Sequence, residues 1–157
     1  MPVRFLKNAS EIADVSMESP LPVRQQGAIT TRPADTLLVA TLTVDTTARD
    51  LLGRTAAELP TLDNCGQYRK LVWLAHRASN TAINYTIRAR ATDLAGTPLS
   101  SGWQTLASGT FAADAANPNW VRLDIPATGD GYYDQYRIEV SVASGTVTLT
   151  SKIVGVR

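Results

Sequence analysis

The stretch LVWLAHRASNTAINYTIRARA, residues 71–91, contains two strand patterns separated by a short polar turn. Its first five residues are apolar on both faces, which is typical of a central strand covered on both sides. From Ile83 to Arg90 apolar and polar side chains alternate, so that one face is apolar and the other is basic. The stretch therefore predicts a buried central strand followed by a half-buried strand with a basic outer face.

The same period of two residues recurs along most of the chain from Thr36 onward. Ser144 and Gly145 are typical of a tight hairpin between the last two strand patterns. The apolar phase changes after Lys152, which predicts a β-bulge or a strand that leaves the sheet. About seven or eight strands separated by turn residues favour an all-β fold, an antiparallel β-sandwich of the jelly-roll type, over a parallel α/β fold.

One segment departs from the strand pattern. In TTARDLLGRTAAELP, residues 46–60, apolar residues recur at helical spacing, and Thr47 with Asp50 resembles a capping box. Gly53 in the middle disfavours a helix by about 1 kcal/mol relative to alanine. The segment predicts either a short helix or a turn-rich crossover between the two sheets.

The composition indicates one domain. The chain has 157 residues, of which 44% are hydrophobic and 18% charged, so it can bury a core without help. A whole-molecule nucleic-acid binder is usually more basic than the net charge of +1 found here, so nucleic acid is not the expected partner. No signal peptide pattern and no run of ~20 apolar residues is present, which predicts a soluble protein made in the cytoplasm.

The sequence offers no recognisable catalytic or metal-binding motif. His76 is the only histidine and Cys65 the only cysteine. The chain has no GxSxG nucleophile elbow, and a single Cys and His lack the spacing of a metal site. We therefore expect no enzymatic activity, no metal and no cofactor, with Cys65 a buried and inert thiol. The alternative is a hydrolase that depends on His76.

Residues from Asn64 to Thr92 include no acidic side chain but five basic ones. The basic residues are Arg69, Lys70, Arg77, Arg88 and Arg90. They form a candidate contact face for an acidic protein, an anionic glycan or, least favoured, a nucleic acid. The alternative is a solvated strand face that neighbouring acids such as Glu139 balance.

Trp103 lies in the polar stretch SSGWQ and is expected to be the most exposed tryptophan. Exposed aromatic rings on β-sandwiches can stack on sugars, which makes Trp103 a candidate glycan contact. The alternative is that its ring packs in the core, as strand aromatics usually do.

Parts of the sequence resemble bacteriophage structural proteins. SMESPLPVRQQGAIT, residues 16–30, is similar to the SPLPV segments near the start of many small virion proteins. Residues 62–91 and 132–157 resemble the sandwich domains of phage structural proteins. This resemblance implies a noncatalytic virion protein, a capsid decoration or cement protein that is a homo-oligomer and binds capsid protein. The alternative is a carbohydrate- or receptor-binding module of a phage tail, with Trp103 as a contact.

The first 34 residues differ from the rest of the chain. They show no clear period, and Pro20 and Pro22 oppose a helix. We expect an extended N-terminal arm over residues 1–34 and the sandwich over residues 35–157. The side chains expected to dock on a partner subunit are Phe5, Leu6, Ile12, Val15 and Met17. Alternatively, the same segment supplies an edge strand of its own sandwich.

Overall fold

The computed structural model describes residues 34–100, 102–113, 120–125 and 133–157. These residues form eight β-strands and a 3₁₀ turn at Cys65–Gln67. In chain order the strands are β1 (Ala34–Val44), β2 (Arg49–Asp50), β3 (Lys70–Arg77), β4 (Ile83–Arg90), β5 (Gln104–Phe111), β6 (Trp120–Ile125), β7 (Gln135–Ser141) and β8 (Val147–Val156). No helix long and apolar enough to cross a membrane occurs in the described ranges.

Of the predicted N-terminal arm, residues 1–33 lie outside the described residues, and Ala34 is the first residue of β1. Residues 1–33 include all five side chains expected to dock on a partner, Phe5, Leu6, Ile12, Val15 and Met17. The arm and the domain boundary after residue 34 therefore stay predictions.

The strands make two four-stranded sheets with the connectivity of a jelly roll. Sheet A has the order β1-β8-β3-β6, and sheet B has the order β2-β7-β4-β5. The antiparallel pairs β1 with β8, β2 with β7, β3 with β6 and β4 with β5 nest inside one another. Such nesting results when one long antiparallel ribbon folds over on itself. The predicted all-β jelly-roll sandwich is confirmed.

The core between the sheets has an aromatic centre. Trp73 of β3 is fully buried, and its ring centroid lies 5.1 Å from that of Phe111 and 6.1 Å from that of Tyr85. The Trp73 indole N–H donates a hydrogen bond to Ser151 Oγ at 3.0 Å. An unsatisfied buried donor would cost about 1–3 kcal/mol, so this bond lets a polar group occupy the core. The cluster connects β3 and β8 of sheet A with β4 and β5 of sheet B.

β3 lies between β8 and β6, as expected of a central strand. Leu71, Trp73 and Ala75 are buried, whereas Val72 and Leu74 on the other face are only half-buried. The prediction that both faces of this strand are covered is wrong for the second face. That face belongs to the outer surface of the sandwich, where Val72 and Leu74 lie among the side chains of neighbouring strands.

Residues 46–60 form a turn-rich crossover, one of the two predicted alternatives, and contain no helix. Only β2 within them is regular, and it pairs with β7. The Asp50 carboxylate accepts hydrogen bonds from the backbone N–H groups of Leu52 at 3.1 Å and Arg54 at 2.8 Å. Gly53 between them has a φ of +82°, which glycine adopts readily. A side chain that takes up backbone N–H groups in this way competes with helix formation.

Two predictions for the C-terminal strands are corrected. Gly145 lies in a tight turn with a φ of +71°, but β7 and β8 belong to different sheets, so the turn is not a hairpin. β8 keeps one phase throughout, with Leu149 and Ile153 buried on the same side. The β-bulge lies instead in its neighbour β1, between Thr36 and Leu38.

Candidate functional site

The five predicted basic contact residues do not share one surface. Lys70 and Arg77 lie on β3 in sheet A, whereas Arg88 and Arg90 lie on β4 in sheet B. Arg69 precedes β3, and its Nε donates to a backbone carbonyl at the C-terminus at 2.9 Å. A contiguous stretch of sequence is therefore divided between the two layers of the sandwich.

Arg77 points into the sandwich and is 1% exposed. Its Nη1 donates to the backbone carbonyls of Thr81 at 3.1 Å, Phe111 at 3.3 Å and Ala112 at 2.9 Å. The guanidinium thus satisfies carbonyls at one end of the core, where the β3–β4 connection meets the end of β5. It is not accessible to a partner.

Arg88 and Arg90 lie on the outer face of sheet B, where neighbouring groups hold both. Arg88 Nη1 lies 3.1 Å from Glu139 Oε2. Arg90 donates from Nε to Gln135 Oε1 at 2.7 Å and from Nη2 to the Glu58 carbonyl at 2.9 Å. Both guanidinium groups are therefore engaged within the chain.

The outer face of sheet B also contains a buried charge cluster that the sequence did not reveal. The side chains of Asp50 and Arg137 are 0% exposed, and Asp50 Oδ2 lies 3.8 Å from Arg137 Nη1. Arg54 donates from Nε to Asp50 Oδ2 at 2.9 Å, and Arg137 Nε lies 3.5 Å from Glu139 Oε1. Arg137 also donates to the Leu59 carbonyl at 2.8 Å. The crossover therefore covers this part of the outer face of sheet B.

Trp103 is half-buried rather than freely exposed. Its indole N–H donates to the Ala57 carbonyl at 2.8 Å, and the Arg90 guanidinium carbon lies 4.1 Å from its ring centroid. This cation–π contact covers part of the ring that a sugar would need. The prediction that Trp103 is the most exposed tryptophan is wrong, because Trp120 is 60% exposed.

A groove of about 190 Å³ lies at one end of sheet B. Gly102 and Gln104, the chain neighbours of Trp103, are among the residues that line it. Side chains that line it include Arg90, Leu99, Ser100, Gln104 and Tyr133. The Tyr133 hydroxyl and Gln104 Oε1 are joined by a hydrogen bond of 3.0 Å. An aromatic ring beside a few fixed polar groups is the kind of lining that small polar ligands use.

The outer side chains of β1, β8, β3 and β6 make up a second surface, which we term the sheet A face. Its cross-strand rows are Val39–Lys152–Leu74–Arg122, Thr41–Thr150–His76–Trp120 and Thr36–Val154–Val72–Asp124. Val39 is 65% and Trp120 60% exposed, while Val72 and Leu74 between them are half-buried. The face therefore combines an apolar stripe with an exposed aromatic edge.

The charges on the sheet A face are mostly positive. Lys70 Nζ lies 2.6 Å from Asp124 Oδ2, and Arg122 Nη2 lies 2.9 Å from Asp124 Oδ1. The hydrogen bond from Lys70, supported by Arg122, holds the pKa of Asp124 below its ordinary range. Lys152 is exposed and has no ion-pair partner among the described residues. Three cations and one carboxylate make this face complementary to an acidic surface.

His76 lies on β3, and Cys65 begins the 3₁₀ turn. The His76 ring packs against Trp120 on the sheet A face, with centroids 4.8 Å apart. Cys65 is buried, and its burial, with smaller contributions from Asp63 and Asp134, raises the pKa of the thiol to about 12. Within the described ranges, no three His, Cys, Asp or Glu side chains come together as a metal site.

No protein-family model matches this chain, and no curated protein matches it. Among solved structures, the crystal structure of PirA is similar over 78% of this chain and 96% of that chain, with 13% identity and a TM-score of 0.40. A Desmodium yellow mottle tymovirus structure is similar over 80% of this chain and 89% of that chain, with 9% identity and a TM-score of 0.26. These similarities concern the fold alone.

Proposed function

We propose that the protein is a noncatalytic structural component of a bacteriophage virion, a decoration or cement protein that holds neighbouring capsid subunits together. The sheet A face is its contact with capsid protein. The observation that carries this proposal is the exposed apolar and basic surface around Trp120, Leu74 and Lys152.

The two outer faces of the sandwich differ in what they offer a partner. On sheet B the crossover lies over Arg137, and Arg88 and Arg90 are engaged inside the chain. On sheet A, Val39 and Trp120 remain more than half exposed. Sheet A therefore presents two exposed apolar side chains on its own strands, and burial of apolar area is the main source of association free energy.

The dimensions of the sheet A face suit a subunit contact. Four strands spaced ~4.8 Å apart, with ~3.3 Å per residue along eight residues, give a projected area of about 500 Å². A standard protein interface buries about 800 Å² on each partner. The predicted arm over residues 1–34 would supply the remainder by docking on a neighbouring subunit. Many such contacts around a symmetric shell resist its expansion without any chemical step.

The test is co-sedimentation with shells of the encoding phage that lack this protein. Trp120→Ala is expected to weaken binding at least tenfold, because an exposed tryptophan that becomes buried is a typical hot spot. Leu94→Ala is the matched control, since Leu94 is a fully exposed apolar residue in a loop outside the face. Failure of the wild-type protein to bind shells would overturn the proposal.

The groove at Tyr133 favours a second candidate, a carbohydrate- or receptor-binding module of a phage tail. Its Tyr133 ring and the polar side chains of Gln104 and Ser100 would hold one sugar ring. Binding on a glycan array that disappears in both Tyr133→Ala and Trp103→Ala, while shells fail to bind, would establish this candidate in place of the first. Loss on Trp103→Ala is expected because Trp103 positions Arg90.

A further inference from the structure

Among the strands that the structure describes, four lie at sheet edges: β1 and β6 in sheet A, and β2 and β5 in sheet B. Edge strands expose unpaired backbone groups and attract other strands, so proteins commonly shorten, charge or interrupt them. β2 has two residues, and β6 has six and carries Arg122 and Asp124. β5 has eight residues but its register shifts at Leu106. Three of the four edges therefore carry a feature that limits pairing.

β1 is different. It has 11 residues, and from Leu38 to Val44 it is in unbroken register with β8. This seven-residue part, LVATLTV, contains no charge, no proline and no glycine. Its bulge lies before Leu38, at the end where Asp35 accepts hydrogen bonds from Tyr68 and Arg157. No described segment pairs with the other side of β1.

The open side of β1 presents a regular set of backbone groups. In an antiparallel pair, alternate residues exchange hydrogen bonds with one neighbour, and the N–H and C=O groups of the residues between them point the other way. Beside these groups, Val39 is 65% exposed although it lies within a sheet. A backbone edge flanked by an exposed apolar side chain is the arrangement that strand addition uses.

We propose that a second copy of this chain occupies this edge, with β1 pairing antiparallel to β1 of the partner about a two-fold axis at Thr41. The two A sheets then form one continuous eight-stranded sheet. Thr41 is the middle residue of the regular part, so this register pairs all seven residues. The inference goes beyond the proposed function, because it concerns contact between copies and holds whatever surface the sheet A face binds.

The sequence of β1 is self-complementary in this register. A two-fold axis perpendicular to a sheet pairs residues of the same face, so the alternation of the two copies stays in phase. On the outer side Thr41 meets Thr41 of the partner subunit and Val39 meets Thr43 of the partner subunit. On the inner side Leu38 meets Val44 of the partner subunit, which extends the row of core residues. No pair brings like charges together, and threonine and β-branched pairs are favourable.

The size of this contact sets the affinity to look for. Seven residues at ~3.4 Å per residue give about 24 Å of edge, and a sandwich with its outer side chains is about 20 Å thick. The contact of about 480 Å² per partner is smaller than the ~800 Å² of a standard interface. We therefore expect a dimer with a dissociation constant in the micromolar range.

The first test is analytical ultracentrifugation of the full chain between about 1 and 200 µM. The wild-type protein is expected to approach twice the 16.9 kDa chain mass. Val39→Lys with Thr41→Lys places like charges across the axis and should weaken the dimer at least 100-fold. Both side chains are exposed, so the fold should tolerate the change, which circular dichroism checks.

The control is Thr148→Lys with Thr150→Lys, which adds the same charge to the same face on β8, one strand away from the edge. If this control dissociates the dimer as strongly as the β1 variant, the copies associate through the flat face and the proposal is wrong. A wild-type protein that stays monomeric at 200 µM, or a β1 variant that dimerises normally, also overturns it.

Cross-linking tests the register. Thr41→Cys should form a disulfide-linked dimer under mild oxidation, because residues paired across an antiparallel ladder lie within disulfide distance. The buried Cys65, whose thiol has a pKa of about 12, should give no background. Thr148→Cys should not cross-link. Equal cross-linking of the two variants would contradict pairing along β1.

Discussion

Replacing Asp50 by asparagine removes the negative charge at the centre of the buried cluster on sheet B. Asparagine can still accept the hydrogen bonds from the N–H groups of Leu52 and Arg54 through its side-chain oxygen. It cannot balance the charge of Arg137, which is 0% exposed and lies 3.8 Å from the Asp50 carboxylate. The main effect is therefore an under-compensated cation in the interior.

The expected loss in the free energy of unfolding is about 3 kcal/mol. Breaking a buried ion pair by removing one partner costs about 3–5 kcal/mol. The lower value applies because Glu139 remains 3.5 Å from Arg137, although Glu139 also pairs with Arg88. For a domain of this size, 1 kcal/mol shifts the melting temperature by about 2–4 °C, so a decrease of about 6–12 °C is expected.

Urea unfolding followed by tryptophan fluorescence and circular dichroism measures this loss. Asp124→Asn is the control, because it removes a carboxylate from the exposed ion pair with Lys70 and should cost much less stability than Asp50→Asn. Combining Asp50→Asn with Arg137→Met removes the buried cation as well, and the double variant should be more stable than Asp50→Asn alone. Equal costs for Asp50→Asn and Asp124→Asn, or simple addition of the single costs in the double variant, would show that Asp50 does not balance the charge of Arg137.

Three further predictions follow from the core and the surface. Gly155→Ala should lower the free energy of unfolding in urea by about 1–3 kcal/mol, because a Cβ there would lie 2.7 Å from the Tyr68 ring. A neutral effect would contradict this contact. Burial raises the pKa values of Cys65 and Tyr136 to about 12 each. Above about pH 9 the unfolded chain therefore releases protons that the folded chain retains. The free energy of unfolding is expected to fall as the pH rises towards about 12. Cys65→Ala should make this fall shallower by up to about 1.4 kcal/mol per pH unit, and parallel curves for the two proteins would contradict the burial of the thiol. Trp120→Ala should shift the fluorescence maximum to shorter wavelength with little loss of stability, because it removes the most exposed tryptophan; an unchanged maximum would show that its indole is not in water.

Strand alternation was a reliable guide where the core side of a strand is purely apolar. β4 is the clearest case, since Ile83, Ile87 and Ala89 are buried and Arg88 and Arg90 lie outside, as the sequence predicted. A two-layer sandwich makes one face of each strand apolar, and that requirement is visible in a few consecutive residues.

Alternation misled where a polar residue belongs to the core. Ser151 points inward on β8 and accepts the Trp73 indole hydrogen bond. Because serine is polar, the sequence pattern wrongly predicted that the apolar face of β8 changes along the strand. Arg77 points inward on β3 because three backbone carbonyls satisfy its guanidinium. Each residue looks exposed in the sequence because it is polar, and most of the groups that satisfy it are distant in the chain: Trp73 for Ser151, and Phe111 and Ala112 for Arg77.

Local sequence patterns are sufficient to predict the all-β class, the approximate number of strands and the apolar side of most of them. These properties depend on the two-residue period of a strand, which is local. The pairing of the strands, the coverage of one face of sheet B by the crossover, and the exposure of Trp120 rather than Trp103 depend on tertiary packing. The hydrogen bonds responsible, from Trp103 to Ala57 and from Arg137 to Leu59, join residues 46 and 78 positions apart. No local pattern encodes contacts at such separations, because they form only when the two sheets and their crossover pack together.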